Sequence, residues 1–155
     1  MASTYRRARA QLLRLFFRAH AVVYEKSDGR IGGHLGMPVL LLTTTGRKSG
    51  LPRATPLVYF RDGNAWVVIG SDGGARRDPQ WVKNLAKDAT ATVRVGRRRF
   101  AATTRIAVGA ERDRLWKLGE GVNPMWDRYQ QHTERELPVV VLEPSDTTRP
   151  RAPQI

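Results

Sequence analysis

Three cations crowd the stretch LLTTTGRKSGLPRATPL at 41–57, where Arg47, Lys48 and Arg53 sit around Gly46 and Gly50. Like charges this close repel, so the arrangement calls for a counter-anion from outside the chain. Arginine offers a planar fork for paired bonds to phosphate or carboxylate, and lysine a compact point charge. Backbone N–H groups of a glycine-bracketed turn can converge on a concavity that suits the same anion. A second stretch, SDGGARRDP at 71–79, repeats the theme. Gly73 and Gly74 let a ligand approach the backbone, while Arg76 and Arg77 precede a helix start, where phosphate is favoured. Metal and thiol chemistry have no comparable support. There is no cysteine, and His20, His34 and His132 stand far apart without ligand spacing.

The whole composition agrees with an acidic partner. The formal net charge is +13, against 41% hydrophobic and 26% charged residues over 155 positions. These proportions describe one globular domain with a real core rather than a disordered chain. The charge admits nucleic acid, an anionic membrane or a polyanionic small molecule, and does not choose among them. The absence of cysteine fits a reducing cytoplasm.

The elements that must hold the charged segments are mostly strands. VLLLTTT and RATPLVYF are apolar or β-branched runs joined by a glycine-bounded turn, and RDGN at 61–64 joins the second run to AWVVIGS. Pro56, inside the second run, lacks an N–H and predicts an edge or bulge. Asp78 and Pro79 read as the N-cap and first residue of a short helix reaching Lys87. ATATVRVG and RFAATTRIAV form a further hairpin around GRRR at 96–99. A helical region follows, interrupted at Gly119–Gly121 and restarted at Asn123-Pro124, and then LPVVVLEP reads as a buried strand.

The start, YRRARAQLLRLFFRAHAVVY, aligns Arg7, Gln11, Arg14 and Arg18 on one face of a helix. Its arginines rule out a signal-peptide core or membrane span. Two readings stay open: a helix packing its apolar face on the domain, or an interfacial helix with arginines at lipid headgroups. The expected organisation is an amphipathic helix over 1–25, a barrel domain over 26–145 and a flexible tail over 146–155. Hairpin connectivity predicts an α+β protein built on an antiparallel sheet or small barrel.

LLTTTGRKSGLPRATPLVYFRDG, GSDGGARRDPQWVKNL and RELPVVVLEP, in that order and spacing, resemble the deazaflavin-dependent nitroreductase family of actinobacteria. The resemblance covers about residues 30–145. It implies an antiparallel split β-barrel of the FMN-binding type with peripheral helices, and coenzyme F420 as cofactor. It implies that Arg47, Lys48, Ser49 and Arg53 hold the coenzyme phosphate and the start of its oligoglutamate tail. Pro56, Leu57 and Val58 would lie against the deazaflavin ring, with Gly70, Ser71, Gly73 and Gly74 along its other side. Gln80, Trp81 and Asn84 would complete the site from the helix. The chemistry expected is hydride transfer from the reduced ring to a lipophilic small-molecule acceptor, a quinone or a nitroaromatic. Ser71 and Tyr129 are the side chains expected to hydrogen-bond that acceptor, and no metal is expected. Trp81, Trp116 and Trp126 are candidates for an aromatic acceptor pocket or for the core.

Two other readings compete at this level: an FMN-dependent reductase on the same barrel, and a basic nucleic-acid-binding module. The second lacks a helix-turn-helix, zinc-finger or RNA-recognition signature, and its aromatics are not interleaved with its basic clusters. No nucleic-acid partner is therefore expected. A cytoplasmic protein is expected, and the interfacial reading of its first helix would place it peripherally on the inner face of the plasma membrane. The sequence leaves the oligomeric state open.

Overall fold

The computed structural model describes residues 37–145. The helix expected over 1–25 and the tail expected over 146–155 lie outside the described residues. Six strands form a closed barrel: β1 (Val39–Thr45), β2 (Pro52–Asp62), β3 (Ala65–Ile69), β4 (Thr90–Val95), β5 (Arg98–Ile106) and β6 (Val139–Pro144). Around the barrel the order is β1-β2-β3-β6-β5-β4, and each neighbouring pair is antiparallel. Among the described residues three α-helices accompany them, α1 (Gln80–Lys87), α2 (Gly109–Glu120) and α3 (Met125–Gln131). None of these is long and apolar enough to cross a membrane.

Alternation along the strands divides the apolar residues between two cores. Leu40, Leu42, Trp66, Val68, Val93, Val140 and Leu142 point into the inner core with Trp81, Val82 and Leu85 of α1. Val67, Ile69, Val139 and Val141, the intervening residues of β3 and β6, join Leu115 of α2 and Trp126 of α3 in the other. This is why AWVVI and VVVL are unbroken apolar runs: both faces of β3 and β6 are covered. Full burial of a side chain such as Leu115 stabilises the fold by about 2 kcal/mol.

Pro56 sits where the sequence expects it. β2 pairs with β1 over Pro52–Val58 and with β3 only over Tyr59–Asp62, so the β3-side edge is open at Pro56. The expected helix cap does not form. Pro79 takes the cap position of α1 with no side-chain cap bond, because the Asp78 carboxylate instead accepts a bond from Arg135 Nη1 at 2.9 Å.

The registers decide which loops share an end of the barrel. Thr45 lies opposite Pro52, and β3 leaves the sheet at Ile69 beside Val139, the first residue of β6. Turn 46–51 and loop 70–79 therefore lie at one end. The β2–β3 and β4–β5 turns lie at the other.

Candidate functional site

Turn 46–51 is tight because Gly46 and Leu51 are bonded across it: Gly46 N donates to Leu51 O at 2.8 Å. A Cβ on Gly46 would lie 2.7 Å from Ser49 Oγ, and Gly50 has a φ of 69°. Ser49 Oγ accepts from Leu51 N at 3.2 Å and from Arg53 Nη2 at 3.5 Å, so the hydroxyl orients the second arginine. The turn is docked on α1 by Asn84. Its Oδ1 accepts from Arg47 N at 3.1 Å and Arg47 Nη1 at 3.2 Å, while its Nδ2 donates to Thr44 Oγ1 at 3.1 Å. Gln80 Oε1 takes Arg47 Nη1 at 2.8 Å, and Lys87 Nζ donates to Arg47 O at 2.8 Å. Arg47, Gln80 and Asn84 are thus one hydrogen-bonded group, and Ser49 and Arg53 form a second pair on the same turn.

Loop 70–78 is shaped from behind. Gly70 has Pro138 Cγ 2.7 Å from where a Cβ would stand, so the loop lies flat on the segment leading into β6. Asp72, Gly73 and Gly74 all have positive φ, at 43°, 62° and 79°. A Cβ on Gly74 would be 2.8 Å from Tyr129 O, which brings the backbone bearing Ser71 against α3. Arg135 then spans the loop: Nε donates to Ala75 O at 2.6 Å, Nη1 to Gly70 O at 3.0 Å and Nη2 to Ser71 O at 2.8 Å.

Lys48, Arg53, Arg76 and Arg77 have no carboxylate partner among the described residues. Three carboxylates are held below their ordinary range. Bonds from Arg114 lower Asp62, bonds from Arg105 lower Glu111, and the Thr90 hydroxyl followed by its N–H lowers Asp88. All three stay ionised at neutral pH, which disqualifies them as acids.

The family described as F420H(2)-dependent quinone reductase matches residues 16–144. The chain belongs to this family. An F420H(2)-dependent quinone reductase of Mycobacterium tuberculosis is 40% identical over 137 residues, 85% of this chain and 89% of that protein. The solved F420-H2 dependent reductase FDR-A superposes with a TM-score of 0.64 at 34% identity, covering 68% of this chain and 94% of that one. A chain solved as a domain-swapped dimer matches at 30% identity with a TM-score of 0.66, over 90% of this chain and 99% of that one.

As an F420H(2)-dependent quinone reductase, the protein uses coenzyme F420 and reduces a quinone-type acceptor. The group of cations without carboxylate partners is the charge arrangement that an acidic coenzyme requires, so the residues present fit the cofactor. The other expected site residues divide by packing. Leu57 packs on the inner core and Val58 on the outer one, leaving Pro56 and Val58 on a common side of β2. Trp81 is 5% exposed within the inner core, and the α1 side chains bonded to the turn are Gln80, Asn84 and Lys87. The three tryptophans do not line one pocket. Trp126 is buried beside Phe60, and Trp116 is half-buried under Arg112 in the outer cluster.

Sequence reasoning missed Thr44, Lys87 and Arg135. Thr44 had a signal, since period two from Leu40 and Leu42 puts it on the inner face. Arg135 had none, because its acceptors are mostly backbone carbonyls distant in sequence.

Proposed function

We propose that turn 46–51 and loop 70–78 together form the coenzyme and acceptor site of this reductase. In this reading Arg47, Lys48, Ser49 and Arg53 bind the phosphate and oligoglutamate tail. Pro56 and Val58 carry the ring on one side, and Gly70, Ser71, Gly73 and Gly74 flank it on the other. Gln80 and Asn84 act through Arg47, keeping its guanidinium and the turn in place. The reduced coenzyme supplies the hydride. The protein's share is to fix the ring, admit the acceptor and hold it near the reacting carbon. Ser71 and Tyr129 are the hydroxyl donors that this reading assigns to such an acceptor.

The observation that carries this reading is the turn docked on Asn84, with exposed cations beside it that no described carboxylate neutralises. Arg53→Ala should weaken F420 binding about tenfold, the worth of one charged hydrogen bond. Titration of deazaflavin fluorescence checks this, and the loss should shrink as salt rises. An Arg53→Ala protein that binds F420 like the parent would remove the turn from the site.

Peripheral contact with anionic lipid belongs to the same reading. Arg61, Arg97, Arg98 and Arg99 are exposed at the barrel end where β1 begins. Arg61 and Arg98 both lie over the Trp66 ring, at 3.5 and 5.2 Å. Co-sedimentation with phosphatidylserine vesicles, lost in the double variant Arg97→Glu/Arg98→Glu, is the expected result. Equal binding to neutral phosphatidylcholine vesicles would count against it.

A further inference from the structure

We infer that Arg135 is a positioning residue for reduction of the acceptor: one guanidinium sets loop 70–78, and with it Ser71, against the helix that carries Tyr129. The inference rests on the assignment of Ser71 and Tyr129 to the acceptor site.

Arg135 stands in the short connection between α3 and β6, and its side chain is 14% exposed. Every nitrogen of its fork is used. Nε and Nη2 each take one carbonyl, of Ala75 and Ser71, and Nη1 is shared between Gly70 O and Asp78 Oδ1. These acceptors lie at the start, middle and end of the loop, so a single planar group fixes its whole course. A lysine presents one nitrogen and cannot reproduce that spread.

The loop needs an external clamp. Asp72 takes a positive φ that a side chain disfavours, and Gly73 and Gly74 leave the next two positions conformationally free, so the loop's course is held from outside it. The clamp is also tied to the other half of the acceptor site. Gln130, the residue after Tyr129, donates from Nε2 to Arg135 O at 2.8 Å, and its Oε1 accepts from Leu137 N at 2.9 Å. Loop and helix therefore meet twice, directly at Gly74 and Tyr129 and through Arg135. By contrast, the turn that carries Arg47 and Arg53 hangs on Asn84 and Gln80, neither of which touches Arg135. Acceptor geometry and coenzyme-tail binding are set by two separate anchors.

The test measures F420 affinity by fluorescence, and kcat and KM for menadione with reduced F420, in the parent, Arg135→Ala, Arg135→Lys and Arg112→Ala. Arg112 is the control. It grips the same connection from α2, through Leu137 O at 3.0 Å and Glu136, rather than through the carbonyls of loop 70–78. Misplacing one reacting partner by about an ångström costs up to a hundredfold, so Arg135→Ala should lose about tenfold to a hundredfold in kcat/KM for menadione. Its F420 affinity should stay within about threefold of the parent. Arg135→Lys should fall with it, Arg112→Ala should keep both constants, and added guanidinium, not methylammonium, should restore part of the turnover of Arg135→Ala. If the alanine variant does not fold, Arg135→Lys carries the same comparison. Turnover within about twofold of the parent, or an equal loss in Arg112→Ala, would overturn the inference, as would a parallel loss of F420 affinity. Arg53→Ala tests the coenzyme turn independently, so a normal Arg53 response with a silent Arg135→Ala rejects only this proposal.

Discussion

Asn84→Ala is expected to lower both the stability of the protein and its affinity for coenzyme F420. Asn84 is 3% exposed and joins three partners: the Arg47 amide, the Arg47 guanidinium and the Thr44 hydroxyl. Removing the amide leaves Thr44, itself 2% exposed, with a buried hydroxyl that has lost its donor. Orphaned buried groups cost more than a bond contributes, and the sum here is about 3 kcal/mol. Thermal unfolding followed by circular dichroism reads that loss directly. The coenzyme effect is separate. Without Asn84 the turn loses its seat on α1, Arg47 is free to swing, and F420 affinity should drop by about tenfold or more. Gln80→Ala is the graded comparison, since the exposed Gln80 makes one bond to Arg47 at 2.8 Å. It should cost about 1 kcal/mol at most and weaken F420 less. If the two variants melted and bound alike, Asn84 would not be the anchor.

Gly74→Ala is the second large effect. Its φ of 79° already disfavours a side chain, and the added carbon would stand 2.8 Å from Tyr129 O and 3.3 Å from Tyr129 Cα. Backbone cannot rotate aside as a side-chain end can, so the loop and α3 must separate. The expected loss is about 2–3 kcal/mol, together with slower quinone reduction as Ser71 and Tyr129 part. Gly73→Ala isolates the conformational share. Its φ is 62°, yet nothing lies within 4 Å of its absent Cβ. It should cost only about 1 kcal/mol of stability. Equal losses at the two positions would mean that the contact with Tyr129 contributes nothing.

How much of this was legible in the sequence depended on the distance over which each feature is specified. Hairpins are local, so VLLLTTT and RATPLVYF around GRKSG, and AWVVI after RDGN, announced β1, β2 and β3 through alternation and turn residues. The same local grammar marked Pro56 as an edge residue, which the partial pairing of β2 bears out. The cations of turn 46–51 were visible because three charges in a short span need no partner to be noticed. Their anchor was hidden. Asn84 is separated from Arg47 by 37 residues and from Thr44 by 40, and no local pattern links them. Arg135 reaches 65 residues back to Gly70, beyond any periodicity argument. Asp78 shows the converse error. Its position before Pro79 has the form of a helix cap, and a distant guanidinium claimed the carboxylate instead.

The place of β6 in the barrel has a consequence for how the protein is made. β6 is the last of the described strands, yet it stands between β3 and β5 and pairs with both. During synthesis those two edges emerge early and stay open, with Val67, Val68 and Ile69 lacking the neighbour that covers them. Closure waits for the final strand to leave the ribosome, so the emerging chain passes through a sticky, half-built cylinder. Chaperone demand and losses to aggregation should concentrate in that interval.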